Sequence, residues 1–454
     1  MFDNFDFTSV QNKINRVPNT FEQGKILESK GLVYKTNLSK ATIGSLVEFE
    51  TDLGEKTIGE VVSLNADTCV VMPYEELAGI NSSTRVSLLP RSDKVAVSEN
   101  LLGRVINYRG EVLDDFGPVK GPFEKRSLFS SPINPLKRPP VKENLSLGIN
   151  AIDGFTSVGK GQRLAILAGS GVGKSVLMGM IAKNTTADIN VIALIGERGR
   201  EVREFIENDL GEEGLKRSIV IVATSDTSAL IRLRSAYFAC TVAEYFRDRN
   251  KDVLFMMDSI TRFSMAQREI SLSAGEPPGQ KGYTPSVFAK LPKLMERAGN
   301  VEGKGSITGI YSVLVEGGDM DEPITDAVRA ISDGHIQLSR DLAAKNHFPA
   351  IDVLSSISRV MTKVVSKEHR IVSSFLRDLM ASYKEAEELI NVGAYLPGTN
   401  PKIDKAVKVI DDINNFLKQD LEFNECLPMD KIFDHMVEIA RKAEGYEEPV
   451  NEAV

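Results

Sequence analysis

A glycine-rich loop at residues 168–175, AGSGVGKS, is the part of the sequence best suited to grip phosphate groups. It follows the apolar run Arg163–Ala168, which predicts a buried strand, and it precedes an amphipathic stretch that predicts a helix. The glycines let the backbone turn its N–H groups towards the phosphates, and the helix N-terminus adds partial positive charge. We expect Lys174 to reach the outer phosphates. The predicted nucleotide contacts are Gly169, Ser170, Gly171, Val172, Gly173, Lys174, Ser175 and Val176.

A carboxylate at the end of a second apolar run extends this site. Residues 253–257 predict a strand, and Asp258 follows it directly. Any buried strand can end in Asp, so Asp258 is informative only because it accompanies a glycine-rich phosphate-binding loop, or P-loop. In P-loop enzymes, magnesium is held by the hydroxyl of this loop and by an acidic residue at the end of a neighbouring strand. We therefore expect ATP and Mg²⁺ as substrate and cofactor, with Ser175 as a metal ligand and Asp258 acting through water.

Hydrolysis also needs a group that positions the attacking water. Glu197 follows the strand predicted at 191–195, so in a parallel sheet it would lie at the same edge as the P-loop. A Glu there can polarise the water, and Arg198 can stabilise the developing phosphoryl charge. A charged, solvated helix start explains the same residues, so spacing alone leaves both interpretations open.

The elements that would position these residues fall into successive patterns. Short alternating runs bounded by turn residues predict a small β-barrel, with strands at 31–34, 45–49, 56–62, 69–73, 85–89 and 95–97. A proline-rich linker follows. Buried β-branched runs alternating with helical patterns then predict a doubly wound α/β domain, with strands at 163–168, 191–195, 218–223, 253–257 and 307–314. Helical apolar stripes fill the last part of the chain.

Composition narrows the class of protein. The chain has 454 residues, 42% of them apolar, and a net charge of -8, which is an ordinary composition for a globular protein and a poor one for a general nucleic-acid binder. Its longest apolar runs fall far short of the roughly 20 residues that span a bilayer. The first residues lack the pattern of a signal peptide. We therefore predict a cytoplasmic protein and expect no nucleic-acid partner.

Further motifs occur along the chain in a characteristic order. They include DSITRF at 258–263, GEPPG at 275–279, GYTPS at 282–286, FPAID at 348–352 and SISRV at 356–360. With these motifs the chain resembles the catalytic subunits of rotary ATP synthases, and more closely the flagellar and type III secretion export ATPases. The similarity runs from about residue 25 to 420.

The resemblance implies both an assembly and roles for single residues. It implies a homohexamer built from an N-terminal β-barrel, a RecA-like core and a helical C-terminal domain. Glu197 would be the catalytic base, because the non-catalytic ring subunits carry Gln at the matching place. Arg359 would be an arginine finger offered to the neighbouring subunit's nucleotide. Phe348 occupies the position that stacks on adenine in relatives, although ordinary core packing would also explain it.

The resemblance also implies how the chain is divided. The divisions are a partner-binding segment 1–24, a barrel 25–97, a linker leading into the core 98–144, an ATPase domain 145–365 and a helical domain 366–454.

The function that this resemblance favours is that of a flagellar export ATPase, peripherally associated with the membrane export apparatus. Its partners would be a regulatory stator-like protein at the N-terminus, export chaperones and substrates, and the export gate proteins. For residues 1–24 a frayed terminus is the alternative to a docking helix. The ATPase of a virulence injectisome is the nearest alternative function. A Rho-type RNA translocase shares the barrel and ring, but this barrel lacks the aromatic and basic clustering that stacks bases. A non-hydrolysing ring subunit is the third alternative.

Overall fold

The structure, a computed structural model, describes residues 22–65, 67–76, 78–90, 93–419 and 427–443. Most of the expected partner-binding segment 1–24 therefore lies outside the described residues. Along the chain a closed β-barrel is followed by an α/β layer and then by a helical region, which confirms the fold class predicted from the sequence. Within the described ranges, no helix combines the length and the apolar character that crossing a membrane requires.

Six antiparallel strands close the N-terminal barrel, in the order β1-β2-β5-β4-β3-β6 with β6 returning to β1. Their bounds are β1 Gln23–Lys30, β2 Val33–Thr36, β3 Leu46–Glu50, β4 Lys56–Asn65, β5 Thr68–Pro73 and β6 Arg85–Leu88. Alternate side chains face inward, as the period of a strand requires. Val47, Phe49 and Val61 are fully buried in this interior.

Two details of the barrel differ from the sequence-based prediction. The sequence gives little sign of β1, because only Gly24 and Ile26 of its eight residues are buried and most of the others are polar. Since Gly24 pairs with β6, the expected boundary after residue 24 falls inside this strand. The run at 95–97 is not a barrel strand: Lys94–Val97 pairs with Glu124–Ser127 in a separate two-stranded sheet.

The central sheet has the order β19-β18-β12-β17-β15-β13-β14-β8, with β16 paired to β17 beside this path. The strands outside the barrel are β7 Lys94–Val97, β8 Val105–Ile106, β9 Glu124–Ser127, β10 Asn144–Leu145, β11 Val158–Gly159, β12 Arg163–Ala168, β13 Ile189–Glu197, β14 Ser218–Thr224, β15 Val253–Asp258, β16 Gly299–Asn300, β17 Ser306–Leu314, β18 Gly334–Leu338 and β19 Ile351–Ser358. All pairs are parallel except β18 with β19 and β16 with β17. The five predicted core strands are present, whereas β8, β18 and β19 at the sheet edges are additional.

Helices cover both faces of this sheet and form the C-terminal region. They are α1 Asn150–Phe155, α2 Lys174–Asn184, α3 Gly199–Glu204, α4 Gly211–Lys216, α5 Ala229–Arg247, α6 Ile260–Ser273, α7 Pro285–Met295, α8 Pro323–Ile331, α9 Arg340–Ala344, α10 Met361–Val364, α11 Lys367–Asn391, α12 Pro401–Leu417 and α13 Met429–Lys442. The last three pack together and against α1. Polar contacts fix them there: His369 Nε2 lies 2.8 Å from Gly154 O, and Asn150 Nδ2 donates to Phe416 O at 3.0 Å.

Candidate functional site

The glycine-rich loop joins the end of β12 to the start of α2. β12 is buried between β17 and β18, so the loop leaves the middle of the sheet. Gly171 and Gly173 have φ angles of 76° and 84°, in the left-handed region that most side chains avoid. Gly173 directly precedes Lys174, the first residue of α2. The backbone therefore has the form of a P-loop, with its N–H groups at a helix N-terminus.

Three charged side chains meet at the carboxyl edge of the sheet. Glu197 and Asp258 are the last residues of β13 and β15, which run parallel to each other. Lys174 Nζ contacts Asp258 Oδ1 and lies 3.6 Å from Glu197 Oε1. Ser312 Oγ donates to Asp258 Oδ1 at 2.6 Å, which fixes this carboxylate from the neighbouring strand. The parallel topology thus brings together residues that are up to 84 positions apart in the chain.

The surroundings of Glu197 and Lys174 shift their pKa values. Burial raises the pKa of Glu197 to about 7, the negative charge of Asp258 adds to this effect, and Lys174 opposes it. Burial alone would lower the pKa of Lys174, but the carboxylates of Asp258 and Glu197 raise it above its ordinary value. Lys174 therefore stays protonated, while Glu197 can gain or lose a proton near neutral pH.

Glu197 Oε1 is buried and, apart from its 3.6 Å ion pair with Lys174, forms no hydrogen bond with any residue that the structure describes. Because a buried polar atom without a hydrogen bond is costly, this oxygen is a candidate to contact a ligand or a water molecule. It faces the same cavity as Lys174 and the Ser175 residue that follows it. The position suits an acceptor that orients a water molecule at a terminal phosphate.

Other arginines surround this cavity. Arg198, the proposed phosphoryl contact, is 80% exposed and forms an ion pair with Glu201 at 3.5 Å, so it lies at the cavity margin. Arg262 and Arg340 also line the cavity, although the sequence does not single them out as site residues. Arg262 belongs to the DSITRF motif at 258–263, so the sequence does mark its neighbourhood. Arg340 comes from the connection between β18 and β19, and no spacing in the sequence indicates it.

Two adjoining cavities extend to either side of the P-loop. The first, about 770 Å³, holds the charged groups, and the second, about 580 Å³, is mainly apolar. Gly171, Gly173 and Val176 line both. Phe348 lines only the apolar cavity, where it is 38% exposed, and a Cβ on Gly173 would lie 3.6 Å from its ring. Phe348 is thus a partly exposed ring beside the loop, not a side chain buried in the core.

Arg359 lies away from this site. It directly follows β19, and its backbone N–H donates to Asp333 O at 2.9 Å. β19 runs antiparallel to β18, so its end lies beside the start of β18 and hence near the start of β12. The P-loop follows the opposite end of β12. Arg359 is exposed at the far edge of the sheet, from which it cannot reach Lys174 of its own chain.

The residues present fit a magnesium nucleoside triphosphate. The loop leaves room for phosphates, because the φ angles of Gly171 and Gly173 disfavour side chains and nothing lies within 4 Å of a Cβ built on Gly171. Ser175 and Asp258 supply a hydroxyl and a carboxylate, the hard oxygen donors that Mg²⁺ prefers. Among the residues that the structure describes, no group of three or more His, Cys, Asp or Glu side chains could hold a metal by itself. A magnesium ion would therefore share its coordination with phosphate and water.

This combination of fold and site defines a class of protein. A P-loop leaves one strand of a parallel sheet, acidic residues end two neighbouring strands, and an N-terminal barrel and C-terminal helices flank the sheet. Such an arrangement is that of a P-loop nucleoside triphosphatase with a RecA-like core.

Comparison with known proteins identifies the family. Residues 148–358 match the nucleotide-binding domain of the ATP synthase alpha/beta family, residues 23–89 match its beta-barrel domain, and residues 365–438 match the T3SS EscN ATPase C-terminal domain. The chain belongs to the ATP synthase alpha/beta family.

Individual relatives are similar over most of their length. The "Flagellum-specific ATP synthase" of Bacillus subtilis (strain 168) is 52% identical over 398 residues, which cover 87% of this chain and 90% of the relative. The "Type 3 secretion system ATPase" of Xanthomonas euvesicatoria is 47% identical over 397 residues, covering 87% and 89%. The solved structure of the assembled ATPase EscN from the enteropathogenic E. coli type III secretion system is 42% identical. It covers 92% of this chain and 99% of that chain, with a TM-score of 0.86.

Proposed function

We propose that this chain is the ATPase of a flagellar protein export apparatus. It hydrolyses ATP and uses the cycle to drive or prime delivery of export substrates and chaperones to the membrane export gate. The hydrolytic part of the proposal rests on Glu197. Its buried Oε1 faces the P-loop cavity, lies 3.6 Å from Lys174 Nζ and forms no hydrogen bond with the described residues. Relatives named flagellum-specific ATP synthase, 43–52% identical over most of the chain, support the flagellar part.

In this proposal each part of the site has a separate task. Phe348 stacks on the base in the apolar cavity, and the P-loop N–H groups and Lys174 bind the phosphates. Ser175, with Asp258 through water, holds Mg²⁺, which when bound neutralises charge on the phosphates. Lys174 exchanges its contact with Asp258 for a contact with phosphate, which frees this carboxylate for the metal shell. Glu197 Oε1 accepts a hydrogen bond from the attacking water and then its proton.

The second half of the catalytic site comes from another subunit. Arg359 is exposed at the sheet edge opposite its own P-loop, so it can act only on the nucleotide of a neighbour. Arg198 at the cavity margin contacts the same phosphoryl group once the neighbour closes the site. A ring of six identical chains satisfies this requirement, because a closed cyclic assembly gives every subunit one such neighbour. The assembled state of EscN supports the ring.

The proposed partners follow from the export role. A regulatory stator-like protein binds near the N-terminus, chaperones and substrates meet the C-terminal helices, and the cytoplasmic ring associates peripherally with the gate proteins. A solved structure of EscN in complex with its central stalk EscO, 42% identical to this chain, supports a protein partner for the assembled ring. No nucleic-acid partner is part of the proposal.

An injectisome ATPase is the second candidate, because the C-terminal region matches the EscN ATPase model and the Xanthomonas euvesicatoria relative is 47% identical. A chromosomal Glu197→Gln substitution in the source organism separates the two. The flagellar proposal predicts loss of swimming and of exported flagellar proteins. Glu213→Gln is the matched control, since Glu213 is 85% exposed and its ion pair is with Lys216 on its own helix. Normal swimming with lost effector secretion would favour the injectisome instead.

A further inference from the structure

The connection between β18 and β19, residues 339–350, straddles the P-loop. α9 begins this connection and places Arg340 in the charged cavity, whereas Phe348 near its end lines the apolar cavity. The connection is also tied to the C-terminal region: Lys345 Nζ lies 3.0 Å from Glu387 Oε1, and the backbone N–H of Gln419 donates to Phe348 O at 3.0 Å. One short segment therefore touches both ends of the candidate nucleotide site.

Arg340 lies against the first glycine of the loop. A Cβ built on Gly169 would lie 2.9 Å from Arg340 Nε and 3.0 Å from Nη2, so the guanidinium occupies the space beside this residue. Gly169 has no positive φ angle, and the turn itself does not demand glycine there. A side chain at 169 would therefore displace the guanidinium from its place beside the loop.

Arg340 and Lys174 differ in their direct charged contacts. Lys174, the cation at the end of the glycine-rich loop, contacts Asp258 and lies near Glu197. Arg340 by contrast forms no ion pair and no side-chain hydrogen bond with any residue in the described ranges. A planar guanidinium with free N–H groups is the side chain that best matches a phosphate oxygen pair.

The position of Arg340 indicates which phosphate it would meet. Gly171 and Gly173 line both cavities, whereas Gly169, Glu197 and Arg340 line only the charged one. If the base lies beside Phe348, the phosphate chain runs along the loop away from the apolar cavity. The group that reaches Gly169 and Glu197 is then the outermost phosphate.

We propose that Arg340 binds the terminal phosphate of ATP, and the inorganic phosphate produced from it, in the same chain. This inference rests on the nucleotide site of the proposed function. Arg340 would then be a cation that the chain supplies to its own nucleotide. Because ADP lacks the terminal phosphate, this contact would distinguish ATP from ADP, and it would come from the same segment that carries Phe348. Arg359, on the far edge, has no part in this contact within one chain.

Equilibrium binding to the full-length protein tests the proposal. The probes are ADP and β,γ-imido-ATP with magnesium, and the variants are Arg340→Gln, Arg340→Lys and the control Lys345→Gln. Lys345 lies on the same segment, and Lys345→Gln removes the same positive charge, but Lys345 pairs with Glu387 and not with the nucleotide site. We expect Arg340→Gln to lower the affinity for β,γ-imido-ATP by about tenfold and the affinity for ADP by less than about twofold. Arg340→Lys should show a smaller loss, and Lys345→Gln should bind both probes like the wild type.

An equal loss of affinity for both nucleotides would mean that Arg340 only shapes the loop. Unchanged affinities would mean that Arg340 touches no phosphate. Either result overturns the inference. If Arg340→Gln fails to fold, as shown by loss of its cooperative thermal unfolding transition, the comparison of Arg340→Lys with the wild type decides. Inhibition of wild-type turnover by inorganic phosphate, weakened in Arg340→Lys, is a second readout. Because the binding measurement needs neither hydrolysis nor export, a chain that binds both probes but does not turn over would refute the proposed function and leave this inference testable.

Discussion

Replacing Arg359 by Ala tests whether catalysis is shared between neighbouring subunits. The side chain is exposed, and its described anchor is the backbone N–H bond to Asp333, which the substitution retains. A surface substitution of this kind changes the free energy of unfolding by about 0.5 kcal/mol or less. A large loss of activity would therefore come from chemistry and not from folding.

The expected loss follows from the geometry of the sheet. The end of β19 lies level with about residue 164 of β12, because β19 pairs with β18 and β18 pairs with β12. The P-loop begins four residues further on, about 13 Å along the strand. Arg359 therefore cannot assist its own chain. If it is the finger of a neighbour, its removal lowers turnover by about 10³–10⁵, which corresponds to about 4–7 kcal/mol in the activation free energy.

The assay is steady-state ATP hydrolysis by rings of verified size, with Arg370→Ala as a control for loss of an exposed arginine on α11. Nucleotide affinity of Arg359→Ala should stay nearly at the wild-type value. Coexpressed Arg359→Ala and Glu197→Gln chains, each inactive alone, should form mixed rings in which about a quarter of the interfaces join an intact Glu197 to an intact Arg359. Partial recovery of turnover is therefore expected on mixing. A wild-type rate for Arg359→Ala alone, or verified mixed rings without recovery, would refute the shared site.

Further expectations concern the site within one chain. Lys174→Ala should lower turnover by at least about 100-fold, measured as steady-state hydrolysis, because the phosphates lose their buried cation; retained turnover would remove Lys174 from the mechanism. Since the pKa of Glu197 is raised to about 7 and only its deprotonated form acts as a base, kcat/KM should rise as pH increases through that value. A profile that is flat through neutral pH would contradict this role. Phe348→Ala should raise the KM for ATP by about tenfold through lost stacking, with kcat nearly unchanged and Phe348→Tyr restoring the KM; an unchanged KM would mean that the ring does not contact the base.

The sequence predicts the site best where local pattern and sheet topology agree. The P-loop could be recognised because its glycines lie between a strand and a helix. Glu197 and Asp258 could be placed near Lys174 because parallel strands end at one edge of a sheet, and the structure brings these three residues together. Their catalytic roles remain predictions.

The parts that the sequence does not indicate depend on long-range packing. Arg340 reaches Gly169 from a connection about 170 residues later in the chain, and no periodicity records that approach. The strand Gln23–Lys30 buries only Gly24 and Ile26, and the run at 95–97 alternates like a barrel strand although its partner is the segment Glu124–Ser127. Local pattern shows that a segment can be a strand, but the choice of its partner depends on the whole fold.

In the proposed function, Glu197 makes this P-loop protein a hydrolase. The most direct measurement compares ATP hydrolysis by the wild type and by Glu197→Gln under conditions in which both bind Mg-ATP. The two side chains have nearly the same shape, so binding should persist while turnover falls by about 10²–10⁴. Hydrolysis by Glu197→Gln at the wild-type rate, or no hydrolysis by the assembled wild-type ring, would show that Glu197 does not make this protein a hydrolase.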